Sequence, residues 1–550
     1  DADRIAIEWS KAQGDVAQAQ SDKIRSALVL QQVTSLPGPV HGWQAQVSWP
    51  SATPAGSLDL NTAQLQAWVQ ARSDVVAAQQ RWLAARSALE LAQSLKKKDI
   101  TWGGAYDHYP PNSNSLVELR VQIPLHWGYG FEGDPAWRTM DEYFSHIEAD
   151  GVSANFAFFI GHNSLRHAAG LDGDETVTDE HLKIMSDLVA ESMEAGALGL
   201  STGLEFLPGK FAKTEEIEHL AKVVGKYGGV YTSHVRNRDS EIFSSMSEFL
   251  QIAKTGNVVA QLSHFNVRFD TNAPENAWER AVGMLVAEKD KGLDVAADTT
   301  PFRFGLGGMS AILPEWLLKD GYANVALALK ESTVRDRLKS DCDRYWRYIH
   351  KGQWSRVRLQ GSLHYPEFTG MSFPEIAKEM KQDEWDCYFD ILMAAGPDMD
   401  KVLMFGENMT EAHLAEMISH PDFSLGVDGF TSVDHGALAD ATQSQFPYCG
   451  HIEFLAHHVR EKKTLTLESA IHKMSSKPAQ RFALKTRGEI KEGWFADMVI
   501  FDADKVRSDS TLENPCVYPV GIQQVIVNGT IVVDESQHTL KRPGRVLRRK

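Results

Sequence analysis

No stretch of 18 consecutive apolar residues occurs in the 550-residue chain, which excludes a membrane-spanning helix. Cysteine is scarce: the four (Cys342, Cys387, Cys449 and Cys516) lie far apart, and none precedes residue 342. They form no CxxC pair and no dense framework, so neither a zinc ribbon nor a disulfide scaffold is indicated, and a reducing, cytoplasmic setting is expected for that half of the chain. Basic residues are outnumbered, 56 Lys+Arg against 73 Asp+Glu, giving a formal net charge of −17. That balance argues against nucleic acid as the main partner, because affinity for a polyanion comes largely from Lys and Arg on phosphates. No basic stretch followed by an apolar run opens the chain, so no signal peptide is visible. What remains is ordinary for a globular protein, with 43% apolar and 23% charged residues.

Residues 1–133 differ from the rest. They contain no Met and no Cys, hold 14 of the 25 Gln, and carry a net charge of only −1, so nearly all the acidity lies downstream. The pattern predicts helix over 3–32, a Pro/Gly/Ser-rich connection over 37–54, and a second helix, Asp74–Leu95, capped by Ser73. Strands follow at Thr101–Tyr109 and Leu116–Pro124, joined by the turn-rich Pro110–Asn114. Residues 72–133, through their "YDHYPP" turn and "VQIPLHWGYG" strand, resemble bacterial outer-membrane efflux channels. That resemblance covers only part of such a protein, and those channels are trimers, so a fragment could not close a barrel. The segment reads either as a Gln-rich helical extension or as an unrelated piece joined to the remainder.

From Asp134 onward, short apolar strands alternate with amphipathic helices, which predicts a parallel α/β architecture. Strands are expected at 155–160, 197–200, 229–233, 258–263, 294–297 and 423–427, with helices at 180–195 and 214–227. Ionisable residues recur where the strands end: His234, His264, Asp298 and Asp428. In a (β/α)8 barrel that face carries the chemistry. His234 and His264 are one strand–helix unit apart, so adjacent strands would bring two imidazoles together, and neutral imidazole is a common zinc ligand. Asp428 is followed by Gly429, which would let the backbone turn and leave the carboxylate at the rim. A carboxylate there can take a proton from water and hand it to a leaving amine. A lone histidine at a strand end is more often a hydrogen-bonded packing residue; two histidines and an aspartate in one context favour a site.

Several motifs in order carry a second resemblance: "FFIGHNSLR" (158–166), "GVYTSHVRN" (229–237), "DVAADTTPF" (294–302), "LGVDGF" (425–430), "RGEIKEGWFADMVIFD" (487–502) and "YPVGIQQVIVNGTIVV" (518–533). They resemble the N-acyl-D-amino-acid deacylase branch of the amidohydrolase superfamily over residues 134–550. The resemblance implies an incomplete (β/α)8 barrel over 134–480 and the C-terminal part of a small β-domain over 481–550. It implies zinc-dependent hydrolysis of the amide bond of a small N-acyl-D-amino acid, with no membrane or nucleic-acid partner for this part. His234 and His264 match metal ligands, and Asp428 matches the catalytic aspartate. His162 falls in the "GH-LR" loop, where it is either site-lining or structural.

The same resemblance exposes what is missing. The superfamily's first strand ends in His-x-His, yet no two of the 20 histidines here are separated by one residue, and the branch's cysteine ligand has no counterpart before Cys342. Two histidines make a poor zinc site, since catalytic zinc usually has three protein ligands. Residues 1–133 stand where the missing strands belong, and their composition gives no reason to expect them to fill that gap. Asn266 stands where the branch often has Lys, and Thr300-Pro301-Phe302 where Tyr-Pro-Tyr is common. Arg268 and Arg303 are nearby substitutes for the substrate's carboxylate or, slightly preferred, solvated surface charges. Three functions follow: a zinc deacylase impaired by its lost ligands, a transport component, or a catalytically inactive joined product.

Overall fold

The computed structural model describes residues 104–105, 118–121 and 137–549, apart from 172, 174, 207, 319–320, 342–346, 363, 430–444 and 513. These belong to a compact unit spanning Thr101–Lys550. The helices expected over 3–32 and 74–95, and most of the stretch resembling an efflux channel, lie outside the described residues. Among the described residues, no helix is long and apolar enough to cross a membrane.

The central sheet is parallel apart from one edge. Its strands are β1 (Gly104–Ala105), β2 (Glu118–Val121), β3 (Phe159–Gly161), β4 (Gly199–Gly203), β5 (Val230–His234), β6 (Val259–Leu262), β7 (Val295–Thr299) and, after a long excursion, β11 (Phe423–Leu425). β1 pairs antiparallel with β2; every other ladder, from β2–β3 to β7–β11, is parallel. Among the described residues no ladder joins β1 to β11. The architecture is α/β, and each helix between strands packs over the sheet. Their ends follow from sequence. Helix α1 (Asp179–Ala195) starts at a capping box in which Thr178 and His181 bond each other's backbone, and it ends at Gly196 in a left-handed conformation. Helix α2 (Thr214–Lys226) and helix α3 (Ile242–Gly256) approach closely, because a side chain at Gly225 would strike the Gly256 carbonyl oxygen.

The apolar faces of these helices and strands form the main core, including Leu200, Tyr231, Phe249, Leu262 and Phe265, all fully buried or nearly so. Each such side chain contributes about 1.5–3 kcal/mol through removal from water.

The position of β2 corrects one expectation. Residues up to 133 were to stand apart from the barrel, but Glu118 and Leu119 pair in parallel with Phe159 and Ile160, adding a strand to its edge. Between β7 and β11 lies an insertion not expected from the sequence. β8 (Phe304–Gly308), β9 (Val357–Gly361) and β10 (Leu403–Glu407) form an antiparallel sheet in the order β8-β10-β9, backed by a separate core around Trp354, Phe373 and Tyr388. Finally β12 (Met498–Phe501), β13 (Ile522–Val527), β14 (Thr530–Asp534) and β15 (Gln537–His538) make an antiparallel sheet. The chain then returns to the barrel, where Leu547 N donates to Phe156 O at 2.6 Å.

Candidate active site

The carboxyl ends of β4 to β7, with the turn after β11, converge on a buried polar cluster. His234 is the last residue of β5, held by pairing with Gly203 of β4. His264 lies two residues past β6, and its amide donates to Asp298 Oδ1 of β7 at 2.7 Å. The two imidazoles meet, with His234 Nδ1 3.1 Å from His264 Nε2 and the ring planes at 81°. Both residues are 3% exposed.

Two residues hold backbone conformations that side chains disfavour: His264 at φ 35° and Asp428 at φ 53°. Each costs of order 1–3 kcal/mol, and such outliers concentrate at functional sites. The sharp turn therefore falls on Asp428 itself rather than on Gly429. Gly429 is needed for space, since a Cβ there would stand 3.0 Å from the Pro447 nitrogen.

Asp428 is buried, and its Oδ1 has no hydrogen-bond partner among the described residues. Burial pushes its carboxyl well above the usual range; Arg238 opposes that and Asp298 adds to it. Asp428 thus senses the two residues that flank His264, and it shares their cluster. Burial also raises Asp298, to about 6, despite hydrogen bonds from the His264 amide and from Gln261 Nε2 at 2.8 Å. Burial, reinforced by Arg238, lowers both imidazoles well below their ordinary range, so both are neutral at pH 7.

Glu205, two residues past β4, organises the cluster. Its Oε2 accepts from His234 Nε2 at 2.8 Å, and Arg268 grips both its oxygens at 2.7 and 2.6 Å. Arg268 also lies 3.5 Å from Asp239 and is fully buried. The solvated reading of Arg268 is therefore wrong: two carboxylates offset the loss of its hydration. Arg303 is the opposite case, with an exposed side chain paired to Glu407 and Glu411. His162 heads the short helix α4 (His162–Ala168), which follows β3 in the chain, and is wholly buried. Its Nε2 meets Glu216 Oε1 at 2.8 Å, and Arg166 holds the other Glu216 oxygen at 2.6 Å, so its visible partners are structural.

Glu205, Arg238 and Asp239 were missed from sequence. The signal existed, because each follows a strand on the same rim as His234.

His234 Nδ1 and His264 Nε2 face each other, but among the described residues no three His, Cys, Asp or Glu side chains group to hold a metal ion. A catalytic zinc takes three protein ligands. The described residues do not complete one.

The amidohydrolase family model matches residues 120–533, so the match begins inside the segment once set apart. N-acyl-D-glutamate deacylase of Alcaligenes xylosoxydans xylosoxydans is 29% identical over 418 residues, covering 76% of this chain and 74% of that protein. D-aminoacylase of the same organism is 28% identical over 426 residues, covering 76% and 75%. Among solved structures, N-acyl-D-glutamate deacylase from Bordetella bronchiseptica, complexed with zinc and a phosphonate inhibitor, superposes with a TM-score of 0.61 at 26% identity over 76% of each chain. A D-aminoacylase crystal structure shares the fold at a TM-score of 0.63, with 24% identity over 80% of this chain and 81% of that one. None of these relatives supports the efflux-channel resemblance. The chain belongs to the amidohydrolase family, whose members are hydrolases acting on C–N bonds.

Proposed function

We propose that this chain hydrolyses the amide bond of N-acyl-D-amino acids, and does so slowly. The observation that carries the reading is Asp428: a buried carboxyl that burial holds well above its ordinary range, with an oxygen left without a partner among the described residues, on the rim where His234 and His264 meet. A carboxyl kept in its acid form can give its proton to the leaving nitrogen as the C–N bond breaks. A proton from the attacking water then returns it to the acid form, so the cycle balances. Zinc, present in the Bordetella relative, would polarise the acyl oxygen in such an enzyme. Among the described residues, two facing imidazole nitrogens are too few to hold it as a catalytic ion. A low rate follows from that shortfall.

The test is to assay N-acetyl-D-glutamate, N-acetyl-D-aspartate and N-acetyl-D-methionine against their L enantiomers. Release of D-amino acid is expected above the uncatalysed rate, with kcat/KM below the usual enzyme range of about 10⁴–10⁸ M⁻¹s⁻¹. No release, or a preference for L substrates, would refute the reading.

A further inference from the structure

Arg238 stands against His264 with the wrong polarity for a metal site. Its Nη1 lies 3.0 Å from His264 Nδ1 and 3.2 Å from the His264 carbonyl oxygen. A guanidinium has only hydrogens to offer, so Nδ1 must accept. A neutral imidazole that accepts at Nδ1 carries its proton on Nε2. That proton points at His234 Nδ1, 3.1 Å away, and uses its lone pair. His234 in turn donates from Nε2 to Glu205 at 2.8 Å. The result is one directed chain, from Arg238 through His264 and His234 to Glu205, in which neither facing nitrogen has a lone pair left over.

A metal-bound histidine normally donates its far N–H to a carboxylate or carbonyl. His234 obeys that rule through Glu205, and His264 inverts it. We infer that Arg238 locks His264 in the Nε2–H form and thereby keeps this centre from taking up a divalent cation. To bind one at Nε2, His264 would have to move its proton to Nδ1, where it would meet the arginine's own N–H. Arg238 cannot easily swing away: it is 4% exposed, also faces Glu205 at 3.9 Å, and its carbonyl is bonded by the Arg268 amide. The inference concerns the same centre as the proposed hydrolysis, but its readout is metal binding, so either can fail alone.

The experiment is a cobalt(II) titration of the full chain followed by visible absorption. The wild type should show no His264-dependent cobalt site. Arg238→Gln supplies an amide oxygen that can accept from Nδ1–H, and it should tighten cobalt binding about 10–100-fold, the range over which such outer partners act. His264→Ala in that background should abolish the gain. Should Arg238→Gln fail to fold, ¹⁵N-histidine NMR of the wild type decides: the resonances lost in His264→Ala should report a proton on Nε2. A folded Arg238→Gln that binds no tighter, a wild-type cobalt site lost in His264→Ala, or a proton on Nδ1 of His264 would each overturn the inference.

Discussion

Arg268→Met will lower the stability of the unit by about 3–5 kcal/mol, the usual cost of removing one partner from a buried ion pair. The guanidinium holds both oxygens of Glu205 and lies 3.5 Å from Asp239, with no part of its side chain in solvent. Methionine matches the length but leaves Glu205 without its two-point partner and Asp239 short of a cation. The measurement is the urea midpoint followed by fluorescence. Arg268→Lys keeps the charge yet cannot span both oxygens, so it should fall between wild type and Met. The diagnostic variant is Arg268→Met combined with Glu205→Gln. Neutral Gln still accepts from His234 Nε2 and no longer needs a cation, so the pair should recover more than half of the loss. Additive losses would show that Arg268 matters through packing alone.

The parallel half of the molecule was legible because its signals are local. Apolar runs ending in an ionisable residue marked β5, β6, β7 and β11 to within about two residues, since buried strands read as short continuous hydrophobic stretches. The insertion was not legible. β8 reads Phe-Gly-Leu-Gly-Gly and β9 ends in Gly361, so neither carries the β-branched enrichment that announces a strand. Their existence depends on pairing with β10, which is a tertiary fact.

At the site, His234, His264 and Asp428 were singled out by type and position, whereas Glu205 and Arg238 were not. A carboxylate or guanidinium near a strand end reads as a surface charge until its partner is known. Only the fold shows that Glu205 faces His234 and that Arg238 caps His264. Thr214 was read as the opening residue of its helix and is the first residue of α2; what the sequence did not show is that its hydroxyl donates to Glu248 at 2.9 Å.

Asp428→Asn will remove hydrolysis while making the fold more stable at alkaline pH, and the two effects together identify the role. Loss of a positioned proton donor costs about 10²–10⁴-fold in rate. A loss of that size alone could also come from misfolding, so stability must be read alongside it. The carboxyl is held above its ordinary value by burial. Below the unfolded value of about 3.9 it is protonated in both states and contributes no pH dependence. As pH rises past that value the unfolded chain ionises and the folded one does not, so the wild type loses stability up to the raised folded value. Asparagine cannot ionise and escapes that loss. The thermal midpoint of Asp428→Asn should therefore match wild type near pH 4 and exceed it near pH 8, with release of D-amino acid gone at both. A variant that is less stable than wild type at pH 8, or that still turns over, would mean that Asp428 is an ionised structural carboxylate and that the proton reaches the leaving nitrogen from elsewhere.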